Sequence, residues 1–186
     1  WLVGWYTIGI MQVIFKMDRS MLKICVPLFE YRHIKDFGDI TDVVLTHLHF
    51  DHCGGAVSWK TKEQKILEPT FKNANYWSNE AHWNWATNPN VREKASFLSE
   101  NILPLKESGQ LKFVNRQGDF TKNVFNNFDV LFVDGHTESM MIPHIQYKGK
   151  TIVFMADLLP TTGHVPLPYV MGYDTRPLLT MNEKQK

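Results

Sequence analysis

Cysteine is scarce in this sequence. Only Cys25 and Cys53 occur among 186 residues, and they form no Cys-x-x-Cys pair. Two cysteines cannot build a disulfide framework, so they read as reduced thiols in a cytoplasmic protein. An excess of one charge is also missing. Twenty basic residues face nineteen acidic ones, a formal net charge of +1. No basic stripe interrupts that balance, which argues against a nucleic-acid partner. The apolar opening "WLVGWYTIGIMQVIF" falls short of the about 20 residues that a bilayer span needs. It also lacks a basic start and a small-residue cleavage site, so it reads as two buried strands and not as a membrane or signal segment. No repeat, low-complexity run or Gly/Ser linker divides the chain. A single domain over residues 1–186 is expected.

What is present has the patterning of an α/β protein. Hydrophobic residues make up 44% of the chain, ordinary for a globular domain. Runs rich in β-branched residues recur as strands: "DVVLT" (42–46), "QLKFV" (110–114), "FDVLFVD" (128–134) and "TIVFMA" (151–156). "MIPHIQYKGKTIVFM" predicts a hairpin turning at Lys148-Gly149, with Pro143 placing its first strand at an edge or delaying its start. Helical patterns lie between. "PNVREKASFLSENIL" puts Val91, Ala95, Leu98 and Ile102 on one face, with Asn88-Pro89 as a start and Pro104 as a stop. "SNEAHWNWAT" predicts a shorter helix capped by Ser78.

Eight histidines are many for this length. Three of them, with an aspartate, crowd into "THLHFDHCGG" (46–55), just after the first of these strands. His47 and His49 are two apart. In extended backbone they share a side, leaving Leu48 to the core. Asp51 and His52 follow on a turn of chain and can face a second ion. Imidazole and carboxylate together suit Zn²⁺, and also Mn²⁺, Fe²⁺ or Co²⁺. Cys53 adjoins the cluster, but His52 is the better ligand candidate. Gly54 and Gly55 are expected to let the chain turn tightly into a following helix.

"THLHFDHCGG" resembles the signature of the metallo-β-lactamase superfamily. The resemblance implies an αββα sandwich and a one- or two-metal hydrolytic site. It also implies two ligands that are present downstream: His136 in "VDGHTES" and Asp157 at the end of "TIVFMADLLP". It covers residues 40–157 well and residues 1–39 poorly. The family's last histidine has no match, because His164 in "PTTGHVPLPY" follows Asp157 too closely. With Trp1 at one end and "MNEKQK" at the other, the sandwich is expected to be incomplete, short of opening strands and of a final strand and helix. The segment between the motifs looks most like the acyl-homoserine-lactone lactonase-like branch.

The expected site is therefore two Zn²⁺ ions held by His47, His49, Asp51, His52, His136 and a bridging Asp157. A metal-activated hydroxide would attack an ester or lactone carbonyl of a small molecule, with Asp51 and Asp157 as the catalytic carboxylates. Thr46 and Thr137 would orient imidazoles by hydrogen bonding. His164 and Trp77 are candidates for lining the substrate site, and His82 is expected to pack or lie at the surface. Two other readings stand beside this one: a truncated, non-catalytic metal-binding fragment, and a nuclease or phosphodiesterase branch of the same fold. A truncated sandwich would expose sheet edges and apolar surface, making an oligomer possible.

Overall fold

The computed structural model describes residues 13–18, 21–25, 38, 40–61 and 63–186, with only the backbone of the first two segments. Most of the apolar opening run, and the two strands read from it, lie outside the described residues. The element order is β1 (Val13–Asp18), β2 (Met21–Cys25), β3 (Asp42–Val44), α1 (Phe50–Cys53), β4 (Val57–Thr61), β5 (Ile66–Pro69), β6 (Asn75–Ser78), α2 (Glu80–Thr87), α3 (Ser99–Glu107), β7 (Leu111–Phe113), β8 (Phe120–Phe125), β9 (Phe128–Val133), β10 (Met140–Tyr147), β11 (Lys150–Val153) and α4 (Pro177–Glu183). Among the described residues, two principal sheets form. One has five strands in the order β2-β1-β3-β6-β7, and the other has four in the order β11-β10-β9-β8. Strands β3, β6 and β7 run parallel, while the second sheet is an antiparallel meander.

Side-chain alternation builds the layers. In β3, Val43 faces one way and Val44 the other; in β6, Tyr76 and Trp77 divide likewise. Val43 and Tyr76 join Leu45, Leu48, Ala86, Ile102 and Leu105 in a core between the first sheet and helices α2 and α3. Val44 and Trp77 meet Phe128, Val130 and Phe132 of β9 and Met141 and Ile145 of β10, filling the space between the sheets. The outer face of the second sheet carries a smaller cluster around Val133, Met140, Ile142 and Leu158. The expected layers are thus formed by helix, sheet and sheet, with α4 against the far end of β9.

Four local expectations change. Pro143 lies inside β10, a central strand, and not at an edge. It is tolerated because its carbonyl accepts from Phe154 N just past the end of β11, so the missing donor falls where that ladder stops. The helix read over 88–103 begins only at Ser99 and contains Pro104. The Asn90 side chain accepts from the backbone N–H groups of Arg92 and Glu93, turning the chain before a helix can start and leaving Val91 98% exposed. The cap of α2 is Asn79, whose side chain accepts from His82 N, one residue beyond Ser78. Finally, the helix lies within the histidine motif as α1. It is followed by a 3-10 turn at Gly54–Ala56 and then strand β4, and Gly54 has ordinary right-handed backbone. The hairpin turn at Lys148-Gly149 forms as expected, with positive φ at both positions.

Candidate metal centre

Four strand ends converge on one point. The chain leaving β3 carries His47, His49 and His52. The chain leaving β6 enters α2 and brings His82. The end of β9 supplies His136, and the end of β11 leads into a 3-10 turn, Ala156–Leu158, that holds Asp157. A hydrogen bond from Met141 N to Thr46 O (2.9 Å) ties the motif to the second sheet. Leu48, fully buried between the two histidines, anchors the motif in the helix-side core.

The ligand atoms sit close together. Asp157 Oδ2 lies 3.2 Å from His52 Nε2, 3.2 Å from His136 Nε2 and 3.7 Å from His47 Nε2. His136 Nε2 is 3.2 Å from His49 Nδ1. Two groups that could hold an ion follow: His47, His49 and His136, and His47, His52 and Asp157, all of them buried. Ligands about 2.0–2.1 Å from a tetrahedral zinc are roughly 3.3 Å apart, so this spacing suits a cation. His47 Nε2 is buried without a hydrogen-bond partner, an orphan that an ion would satisfy. Asp51 stands at the edge, its Oδ2 3.5 Å from His52 Nε2 and its side chain 41% exposed.

The electrostatics agree. Burial pushes the pKa of His47 well down, helped by His52, His49 and His136 around it. Burial also lowers His49, against the pull of Glu93. Burial would raise Asp157, but the hydrogen bond from His52 and the charges of His52, His136 and His49 hold it below the usual carboxylate range. The lowered His47 and His49 favour the neutral imidazole, and the lowered Asp157 the carboxylate, which are the forms that bind metal.

Three supporting residues escaped the sequence reading. Glu93 reaches His49 Nε2 at 3.4 Å while accepting from Trp85 Nε1 and Asn90 Nδ2. Although burial opposes it, these bonds, that with His49 foremost, bring its pKa down to about 2. Asp174 lies 2.9 Å from His136 Nδ1. Glu183 on α4 accepts from the backbone N–H groups of Asp134 and Gly135. The Asn90 turn was the legible signal for Glu93, and Arg176-Pro177 for the start of α4; nothing local marked Asp174. His82 is fully buried, accepting from Leu48 N at 2.8 Å and contacting the Glu138 carbonyl. Thr46 Oγ1 is 3.2 Å from His47 Nδ1.

The remaining candidates have other partners. Trp77 points into the core between the sheets, its ring 4.9 Å from Phe125 and its indole N–H donating to Asp42 Oδ1. His164 sits in a 3-10 turn with its Nδ1 2.8 Å from Thr161 Oγ1. Cys53 is buried, donates to Leu48 O and has its thiol pKa raised by burial, which leaves it inert.

The metallo-β-lactamase superfamily pattern matches residues 27–183. The chain belongs to that superfamily. Its fold is similar to a probable metal-dependent hydrolase from Staphylococcus aureus (24% identity, TM-score 0.71), covering 87% of this chain and 56% of that one. It is also similar to AidC, a dizinc quorum-quenching lactonase solved with a homoserine product (22% identity, TM-score 0.64), over 81% of this chain and 53% of that one. A third similar structure is a quorum-quenching N-acyl homoserine lactone lactonase (18% identity, TM-score 0.58), covering 83% and 54% of the two chains. The chain thus spans little more than half the length of these structures. No match was found among curated proteins.

Proposed function

We propose that the protein is a metal-dependent hydrolase of small-molecule esters or lactones. The observation that carries this reading is the convergence of His47, His49, His52, His136 and Asp157 from three strand ends, with ligand atoms 3.2–3.7 Å apart along the chain of contacts. Zinc is the proposed metal, for its tetrahedral preference and nitrogen–oxygen ligands, and the dizinc lactonase of similar fold supports that choice. When bound, such ions lower the pKa of water towards about 7 and polarise a carbonyl.

The chain's own residues divide the remaining work. His47 and His49, kept neutral by burial, and His136, held through Nδ1 by Asp174, would together hold one ion. Asp157, whose Oδ2 lies 3.2 Å from both His136 Nε2 and His52 Nε2, would be the carboxylate that helps hold an ion there. Asp51, the partly exposed carboxylate, is placed to pass a proton towards the leaving oxygen. Among the described residues no helix is long and apolar enough to cross a membrane. A cytoplasmic site of action is proposed from the free, buried Cys53 thiol.

The test is to load the purified chain with zinc and assay a panel of lactones and esters, with His47→Ala and His136→Ala as controls. Zinc-dependent turnover that both substitutions abolish is the expected result. Zinc binding without turnover of any substrate would favour the non-catalytic metal-binding reading.

A further inference from the structure

We propose that Arg92, an exposed side chain outside the histidine cluster, is a positioning residue: it holds the 172–174 segment where Asp174 meets His136. This rests on the reading of His136 as a ligand and adds to it the residue that places its acceptor. One short turn, Asn90 to Glu93, then stands behind two imidazoles that come from different sheets.

The turn is built by Asn90. Its Oδ1 accepts from Arg92 N at 2.8 Å and Glu93 N at 3.1 Å, and its Nδ2 donates to Glu93 Oε2 at 2.8 Å. Glu93, which is buried, reaches His49 Nε2 directly. Arg92 instead reaches across to the chain before α4. Its Nη2 donates to Gly172 O at 2.7 Å and to Asp174 O at 3.3 Å. It grips backbone carbonyls, so it acts on where the segment lies.

Among the described residues, little else fixes that stretch. Tyr173 is 81% exposed, so its ring is no anchor. A Cβ placed on Gly172 would meet nothing within 4 Å, so no packing closes on that residue. Asp174 Oδ1 faces His136 Nδ1 at 2.9 Å, but its Oδ2 is buried without a hydrogen-bond partner. The carboxylate therefore sits where its own backbone puts it, and the N–H of that backbone donates to Met171 O within the same stretch. Beyond Asp174 the chain is fastened separately, by Thr175 N to His136 O and Arg176 N to Gly135 O. Loss of Arg92 should free residues 172–174 without detaching α4.

The experiment records long-range proton–nitrogen NMR spectra of the metal-free chain at about pH 8, above the ordinary imidazole pKa. A carboxylate held at Nδ1 keeps the proton there and leaves Nε2 free, so His136 should show that one tautomer in the parent. Arg92→Met keeps the apolar stem and removes the donors. It should give a mixture of tautomers at His136, while His49, backed by Glu93, stays as before. Arg92→Lys should restore part of the parent pattern. Zinc affinity should fall several-fold in Arg92→Met, short of the roughly 10-fold or greater loss expected in Asp174→Asn. Added to Asp174→Asn, Arg92→Met should cost no further affinity, because it acts through Asp174. Thermal melts establish that each variant is folded, and Arg92→Gln, too short to span both carbonyls, makes the same comparison should Arg92→Met unfold. An unchanged His136 pattern and affinity in the folded variant, or independent losses in the double variant, would overturn the proposal. If the folded parent binds no zinc, the hydrolase reading falls, and the His136 spectra still decide the role of Arg92.

Discussion

The Thr46–Gly55 stretch and the strand ends of the second sheet contribute to the same centre by different means. In the first, three histidines lie within six residues of one motif. Leu48 is fully buried between two of them, and His82, from the helix layer, accepts its backbone N–H. In the second, each ligand arrives alone and is held by distant chain: His136 by Asp174 and by α4 behind Gly135, Asp157 by a turn with unusual backbone. The motif carries its own geometry, whereas the second sheet borrows geometry from the last quarter of the chain. That division predicts separate ways to break each half.

Acid should break the motif side first and hardest. Burial lowers the pKa of His82 from 6.5 to about 4, so it stays neutral in the fold while the unfolded chain takes up a proton. Its contribution is complete above pH 6.5 and is lost as the pH falls towards about 4, amounting to about 3 kcal/mol for this residue alone. His47 and His49, lowered chiefly by burial as well, act in the same direction. Denaturant unfolding of the metal-free chain between pH 7 and pH 4 should show this fall, and His82→Gln should flatten part of it. A stability unchanged over that range would show that the buried histidines are not neutral in the fold.

A smaller loss is expected on the other side from Gly135→Ala. An added Cβ would stand 2.5 Å from the Thr180 backbone nitrogen and 2.7 Å from its Cα, forcing α4 away from the end of β9. Overpacking of this kind costs about 2 kcal/mol. Glu183 would lose its hold on the Asp134 and Gly135 N–H groups, so His136 should shift and zinc affinity should fall with stability. Unchanged melting and affinity would contradict the role given to α4.

The mildest effect concerns Ala156, whose φ of +43° precedes Asp157. A left-handed alanine is disfavoured by about 1 kcal/mol or more, partly offset in glycine by greater chain entropy. Ala156→Gly should therefore stabilise the metal-free fold by about 0.5 kcal/mol while loosening Asp157. A drop in melting temperature would mean that the alanine side chain packs for more than its backbone costs.

The sequence made one half of this centre far more legible than the other. His47, His49 and His52 announce themselves because their spacing alone fixes which atoms can meet. The strands ending at His136 and Asp157 were readable from β-branched runs, but those two ligands were named only by the resemblance of the histidine motif to the superfamily. Glu93 lay within an apparent helical segment, and its only local signal was Asn90, whose side chain accepts from the Arg92 and Glu93 N–H groups and so competes with helix formation. Asp174 was silent, since nothing near it in sequence says that it returns to His136. Pro143 misled for a similar reason: whether a missing N–H matters depends on where the neighbouring strand stops, which is a tertiary fact.

The account turns on a cation at the meeting point of the two halves. The most direct measurement is anomalous diffraction at the zinc edge from crystals of the zinc-loaded chain. The predicted result is a strong peak bonded by His47 Nε2, His49 Nδ1 and His136 Nε2. A chain that binds zinc elsewhere, or leaves those three nitrogens without an ion, would contradict it.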